Sequence, residues 1–206
     1  MSVKTIELFA GTRSFSKVAQ KFGHETFTTD YEEIDGQDLV ADVRQVYWND
    51  FPYLKPDILW ASPPCEGFSV AVIGRNWTHD HKPKTDSARL GVELVENTLR
   101  LIKELEPKWW FIENPRGKLR KLPMMQGFIR HTITYCQYGD TRMKPTDIWT
   151  NAPWFKPRPM CKNGDTCHTA APRGSRTGTQ GIKGYKDRSR IPEELFKDIF
   201  TQINDI

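Results

Sequence analysis

The chain of 206 residues has no apolar run long enough to cross a bilayer, so nothing in it argues for a membrane-spanning segment. Its first residues, Met1-Ser2-Val3-Lys4-Thr5, lead straight into a strand-like run without the apolar core of a secretory signal. Cysteine is scarce: Cys65, Cys136, Cys161 and Cys167 are the whole complement, unevenly spaced. That pattern does not make a disulfide framework, and it points to a reducing, cytoplasmic setting with Cys65 a free thiol. Nor does one sign of charge dominate; 30 basic against 26 acidic residues leave a net charge of +4. At 37% hydrophobic and 27% charged, the composition is that of a globular protein with one sizeable core.

What is present begins with periodicity. Val3–Phe9, Glu25–Thr29, Leu39–Asp42, Asp57–Ala61 and Trp109–Ile112 read as short strands. A helix is expected over Phe15–Phe22, with Ser14 as its N-cap and Gly23 just past its end. A second helix over residues 86–105 carries Leu90, Leu94, Leu99, Ile102 and Leu105 at helical spacing and stops before Pro107. Phe128–Tyr138 and Asp147–Thr150 read as further strands, and residues 192–203 as a terminal helix. The alternation implies an α/β fold, a Rossmann-like doubly wound, mostly parallel sheet covered on both faces.

Within that frame Cys65 sits in Ser62-Pro63-Pro64-Cys65-Glu66-Gly67-Phe68-Ser69, directly after a strand. The paired prolines fix the backbone and present one thiol on a stiff turn. Gly11, Asp30, Asp42 and Glu113 also fall at the carboxyl ends of predicted strands, the edge where open α/β sheets bind ligands. Each residue alone has a bland reading: Cys65 as a small core residue, Glu113-Asn114-Pro115 as turn chemistry, Asp30 as a cap, Tyr31 as packing. Their common edge favours a site.

From Asn151 to Arg190 periodicity fades, and nine basic residues face only Asp165 and Asp187. Basic charge interleaved with Trp154, Phe155 and Tyr185 suits phosphate neutralisation and base stacking, although a solvated surface loop would look similar.

The order Phe9-Ala10-Gly11, Asp30, Pro63-Pro64-Cys65-Glu66-Gly67-Phe68-Ser69, Glu113-Asn114-Pro115 and Gln137-Tyr138-Gly139 resembles the S-adenosylmethionine-dependent DNA (cytosine-5) methyltransferases, in particular compact phage- and prophage-type members. The resemblance covers most of residues 3–150 and the terminal helix. It implies the class I methyltransferase fold, with a catalytic domain of residues 1–150 plus 191–206 and a small irregular target-recognition region over 151–190. The implied activity is DNA (cytosine-5-)-methyltransferase, in the cytoplasm of a bacterium or a phage-infected host. Cys65 would attack carbon 6 of a flipped-out cytosine, Glu113 would supply a proton at ring N3, and Asn114 would hold the turn. S-adenosylmethionine would be bound by Phe9, Ala10, Gly11, Thr12, Asp30, Tyr31, Asp42, Val43, Pro63 and Leu90. Residues 66–86 would form a mobile loop closing over double-stranded DNA, touched by Ser69, Arg75, Lys82 and Lys84, with Arg173, Arg176, Lys183 and Lys186 contributing from the basic region. A monomer with no membrane partner is expected. The alternatives are the same chemistry on RNA, or a non-catalytic DNA-binding protein that keeps the fold.

The pattern departs from the family twice. Thr12-Arg13-Ser14 stands where further glycines are usual, and Asp140-Thr141-Arg142-Met143-Lys144-Pro145-Thr146 stands where the family has Pro-Gln-x-Arg-x-Arg. Arg142 and Lys144 are expected to share the missing arginines' role. Cys161, Cys167 and His168 raise zinc, but the spacing is not a clean two-pair pattern, only Cys136 is spare, and no metal is assigned.

Overall fold

The computed structural model describes residues 2–170, 187 and 189–205. Seven strands form one sheet in the order β3-β2-β1-β4-β5-β7-β6. They are β1 (Lys4–Leu8), β2 (Glu25–Asp30), β3 (Leu39–Val40), β4 (Ile58–Ala61), β5 (Trp109–Pro115), β6 (Ile129–Thr134) and β7 (Pro145–Thr150). The first five run parallel, and β7 is antiparallel to both β5 and β6. The short link from β6 to β7 is the reason, since a parallel return needs a crossover of a dozen or more residues. The sheet is thus mostly parallel, as its periodicity predicts.

The central strand β4 shows why both faces are covered. All four of its residues are buried, and they alternate between two cores. Ile58 and Trp60 face α1 (Ser14–Lys21) and the terminal helix, while Leu59 and Ala61 face α3 (Asp86–Leu105). The terminal helix, α4 (Glu193–Asn204), packs Phe196 and Phe200 against Phe15 of α1. Burying each of these rings contributes about 2–3 kcal/mol. Thr85 caps α3 by accepting the Ala88 N–H at 3.3 Å, and the left-handed Glu106 before Pro107 ends it. Among the described residues no helix is long and apolar enough to cross a membrane.

Three details differ from the sequence pattern. Ser14 does not cap α1; Arg13 takes the N-cap position in the left-handed region, at φ 58°. The free N–H groups instead reach Glu7, a buried residue of β1, whose carboxylate accepts from Phe15 and Ser16 at 3.2 and 2.9 Å. Second, the strand expected over 128–138 ends at Thr134 and tightens into a 3-10 turn, Tyr135–Tyr138, closed by left-handed Gly139. Third, this turn carries Cys136 to Cys161, Cys167 and His168, which the sequence left without a fourth partner or an assigned metal. Ala152 and Phe155 join the core beneath β7, so the sheet's packing continues past residue 150.

Candidate active site

The thiol is positioned by the strand that precedes it. Trp60 Nε1 donates to Ser62 Oγ at 2.8 Å, and the chain then turns through Pro63 and Pro64 to half-buried Cys65. The Cys65 carbonyl accepts the amides of Phe68 and Ser69 at 3.0 and 3.1 Å, which closes the turn. The turn is wedged between the start of α3 and the exit of β5. A Cβ on Gly67 would lie 2.8 Å from Ser87 O, too close for any other residue, and one on Gly117 would collide with Phe68 O. Asn114, fully buried, donates from Nδ2 to Pro63 O at 2.9 Å.

β4 and β5 lie side by side with Ala61 opposite Ile112, so the turn carrying Cys65 leaves β4 beside Glu113. Glu113 remains within β5, opposite Ile148 of β7, rather than past the strand's end. It is 5% exposed, and Tyr135 Oη donates to its Oε1 at 2.8 Å. Burial pushes the Glu113 carboxyl up, against an opposing pull from Lys144 and the Tyr135 hydrogen bond. Burial likewise pushes the Cys65 thiol up, Glu113 adds to that, and Lys144 opposes it. Lys144 itself is held below the usual lysine range by burial, while the charges of Glu113 and Cys65 favour its protonated form. Its Nζ lies 4.6 Å from the centre of the Tyr135 ring. One cation thus acts on both the thiol and the acid.

Arg142 lies farther from that ring, its guanidinium carbon 5.9 Å from the Tyr135 centre. Its guanidinium forms an ion pair with Asp140 and donates to the carbonyls of Asp187 and Arg190 at 3.2 and 3.1 Å. Five donors on a rigid fork suit this buried tie between the turn after β6 and the chain entering α4. Arg142 is thus tied into the scaffold, while Lys144 is the cation whose charge acts on the thiol and the acid.

Beside the thiol a cleft of about 550 Å³ opens over the carboxyl ends of the parallel strands. Phe9, Asp30, Tyr31, Asp42, Val43 and Leu90 line it, as the sequence suggests; Pro64 lines it in place of Pro63. Ala10 and Gly11 are not in its wall, and Thr12 lines a separate cavity with Ser14 and Arg190. Their loop still shapes the cleft, because Asp30 Oδ2 accepts the Gly11 amide at 2.9 Å. Phe9, Gly11 and Arg13 all adopt positive φ, at 57°, 49° and 58°. The loop therefore curls as a glycine-rich one would, and two bulky side chains sit in the strained left-handed region. Arg13 is steadied there by donating to Gly36 O at 3.2 Å. Tyr31, 64% exposed, presents its ring at the cleft's mouth. Arg44, Glu66 and Gly91 also line the cleft and were not singled out by the sequence. Glu7 and Tyr135 were missed too, although an acid in an otherwise apolar central strand is a readable signal.

Residues 66–86, expected as a mobile loop, are folded over the thiol turn. Val70–Val72 and α2 (Ile73–Asn76) form two short turns, and buried Trp77 donates from Nε1 to Gly67 O at 2.8 Å while stacking on Phe68. Lys82 pairs with Asp80 at the surface, Lys84 reaches Gly74 O at 3.5 Å, and Arg75 reaches its neighbour Asn76 at 3.4 Å. Ser69 is half-buried at the start of the first turn. Arg173, Arg176, Lys183 and Lys186 lie outside the described residues.

A mostly parallel sheet with a stiff thiol turn, a buried acid on the adjacent strand and a cleft sized for a nucleoside cofactor defines a methyltransferase-type α/β protein. Residues 3–122 match the family model described as C-5 cytosine-specific DNA methylase. The chain is 30% identical over 174 residues to a probable DNA (cytosine-5)-methyltransferase of Frog virus 3 (isolate Goorha), covering 80% of this chain and 78% of the viral protein. It is 26% identical over 105 residues to the type II methyltransferase M.BsuFI of Bacillus subtilis, covering 51% of this chain and 22% of that one. The Entamoeba histolytica methyltransferase EhMeth shares the fold, with a TM-score of 0.55 at 14% identity over 78% of this chain and 56% of its own. The chain belongs to the C-5 cytosine-specific DNA methylase family. It spans well under two thirds of the Bacillus and Entamoeba proteins.

Proposed function

We propose that the protein transfers a methyl group to carbon 5 of a cytosine extruded from double-stranded DNA, through a transient covalent bond from Cys65. The observation that carries this reading is the pairing of Cys65, on the turn after β4, with buried Glu113 of the adjacent β5 beside the cleft. Cys65 Sγ adds to carbon 6 of the ring while Glu113 donates its proton at N3, so that negative charge does not build up on the base and carbon 5 becomes nucleophilic. Lys144 stabilises the thiolate before addition and the Glu113 carboxylate after its proton has moved. Asn114 holds the turn through Pro63 O, which keeps the thiol still as it attacks. Once carbon 5 is methylated, its proton leaves to a base, the bond to Cys65 breaks with release of the thiolate, and N3 returns its proton to Glu113, which restores the ring and the acid.

The cleft fits S-adenosylmethionine. Asp30 offers its carboxylate where ribose hydroxyls would lie, Tyr31 a ring for adenine, and Leu90 and Val43 an apolar wall. When bound, that cofactor supplies a methyl group on a sulfonium. Flipping a base out of the duplex costs about a few kcal/mol, which phosphate contacts from Arg75, Lys82 and Lys84 and from the basic region over 151–190 would offset. Such an enzyme works in the cytoplasm, where the genome it modifies is accessible and Cys65 stays reduced.

The test is trapping. A duplex carrying 5-fluorocytosine cannot lose its fluorine, so with cofactor the wild-type protein is expected to stay joined to the DNA on a denaturing gel. Cys65→Ala is expected to give no adduct. An adduct that survives this substitution, or the absence of any adduct on a library of duplexes covering all short sequence contexts, overturns the proposal.

A further inference from the structure

Away from the thiol turn, Cys136, Cys161, Cys167 and His168 converge, with their Sγ and ring-nitrogen atoms all within 4.8 Å of one another. Cys136 Sγ lies 3.1 Å from Cys161 Sγ and 3.6 Å from Cys167 Sγ. His168 Nδ1 lies 3.7 Å from Cys161 Sγ and 3.6 Å from Cys167 Sγ. Three of these four distances match the edges of a tetrahedron around a zinc ion, where arms of about 2.3 Å to sulfur and about 2.0 Å to nitrogen give edges of about 3.5–3.8 Å; the Cys136–Cys161 pair, at 3.1 Å, would open slightly to take the ion. They are too long for a disulfide, whose sulfurs sit about 2.05 Å apart. We infer that the protein carries a structural zinc ion held by Cys136, Cys161, Cys167 and His168.

The surroundings are built for such an ion. Cys136 and Cys161 are 7% and 5% exposed, so two ligands are already out of water. The Cys161 amide donates to Thr134 Oγ1 at 3.0 Å, and Gln137 Nε2 lies 3.4 Å from Cys167 Sγ, where it can donate to a thiolate. Between Cys161 and Cys167 the chain makes a tight knuckle. Asp165 accepts the Lys162 amide through its carboxylate at 2.6 Å, and Gly164 takes φ 95°. Thr169 then pairs its amide with Thr141 O at 2.9 Å, running the loop back beside the turn after β6.

The loop has little else to hold it. Residues 162–166 are exposed and Met160 is 40% exposed, so among the described residues no apolar core lies under this stretch. A metal replaces the missing core, as in small metal-stapled folds. Binding converts three thiols to thiolates with release of three protons, while His168 ligates as the neutral ring through Nδ1. Four protein ligands leave no open position, so the ion is structural rather than catalytic. It would fix the start of the basic region to the turn that holds Tyr135, and through Tyr135 to Glu113.

The experiment uses the full chain, purified under reducing conditions without added metal and assayed by elemental mass spectrometry. About one zinc per chain is expected, falling below about a tenth in Cys167→Ser and His168→Ala, and retained in His168→Cys and in Cys65→Ala. Cobalt(II) titrated into the apoprotein should give the visible bands of tetrahedral thiolate coordination, a readout that does not depend on any variant folding. Wild-type protein that carries less than about a tenth of an equivalent, even after incubation with zinc, and gives no cobalt spectrum overturns the inference. So does a Cys136–Cys161 disulfide in protein from a reducing cytoplasm. None of these outcomes depends on methyl transfer, so the inference and the proposed activity fail separately.

Discussion

Lys144 and Arg142 lie two positions apart in the sequence and serve different ends. Lys144 sits where its charge opposes the burial that pushes the Cys65 thiol and the Glu113 carboxyl up. Replacing it with alanine removes a positive neighbour from both groups, so both pKa values rise. The limb of adduct formation that climbs with pH reports the Cys65 thiolate and is expected to move to higher pH in Lys144→Ala. The rate at neutral pH then falls about tenfold for each unit moved. Lys144→Arg keeps the charge and is expected to leave the limb near its wild-type place. Arg142→Ala should do the opposite: the pH limbs stay, but Asp140 is left largely buried without its partner, at a cost of about 3–5 kcal/mol in urea unfolding. A shifted pH limb in Arg142→Ala with unchanged stability would show that the two roles are reversed.

Glu7 shows how an element can depend on a residue outside it. Helix α1 has no acidic residue in its first turn and no side-chain cap of its own. The carboxylate that accepts its first amides comes from β1, and burial pushes the Glu7 pKa up to about 7. A carboxyl raised above its unfolded value binds more protons in the folded state. Its contribution is therefore complete below about pH 4.5 and is lost as pH rises through about 7, by up to about 3 kcal/mol. Glu7→Gln removes this titration, so urea unfolding of the variant should vary less between pH 5 and 8 than that of the wild type; parallel curves would refute the assignment. The order and nature of the elements were legible because strands with two buried faces and an amphipathic 20-residue helix leave strong periodic patterns. The convergence of Cys65, Glu113, Asn114 and most of the cleft-lining residues was legible because strand ends on one sheet edge bring distant motifs together. What did not show was set by three-dimensional contact. The cap from Glu7, the 3-10 turn that ends β6, the left-handed fit of Arg13 and the place of Cys136 as fourth member of the cluster all depend on partners remote in sequence, which local propensity cannot report.

At the scale of the whole molecule, basic charge is concentrated in a part of the sequence distant from the thiol motif. The cleft and thiol lie on the sheet edge, whereas nine basic residues against two acidic ones sit between positions 151 and 190, in a chain whose net charge is only +4. Not all of that charge is available to DNA. Arg158 is bound to Asp198 at 2.7 Å and to the Gln137 carbonyl at 2.8 Å, which spends it on anchoring α4. Arg173, Arg176, Lys183 and Lys186 are the basic residues proposed to meet phosphate. Each phosphate neutralised steepens the fall of log affinity with log salt by about 0.9 on duplex DNA. Replacing all four with alanine is therefore expected to flatten that slope by about 3–4 if every one makes a contact. Cys65→Ala, which removes the nucleophile and no charge, should keep the wild-type slope while forming no adduct. Fluorescence anisotropy with a short duplex across a salt series measures both. A slope that changes by less than about 1 in the fourfold variant would place DNA binding elsewhere, on the surface over residues 66–86 that carries Arg75, Lys82 and Lys84.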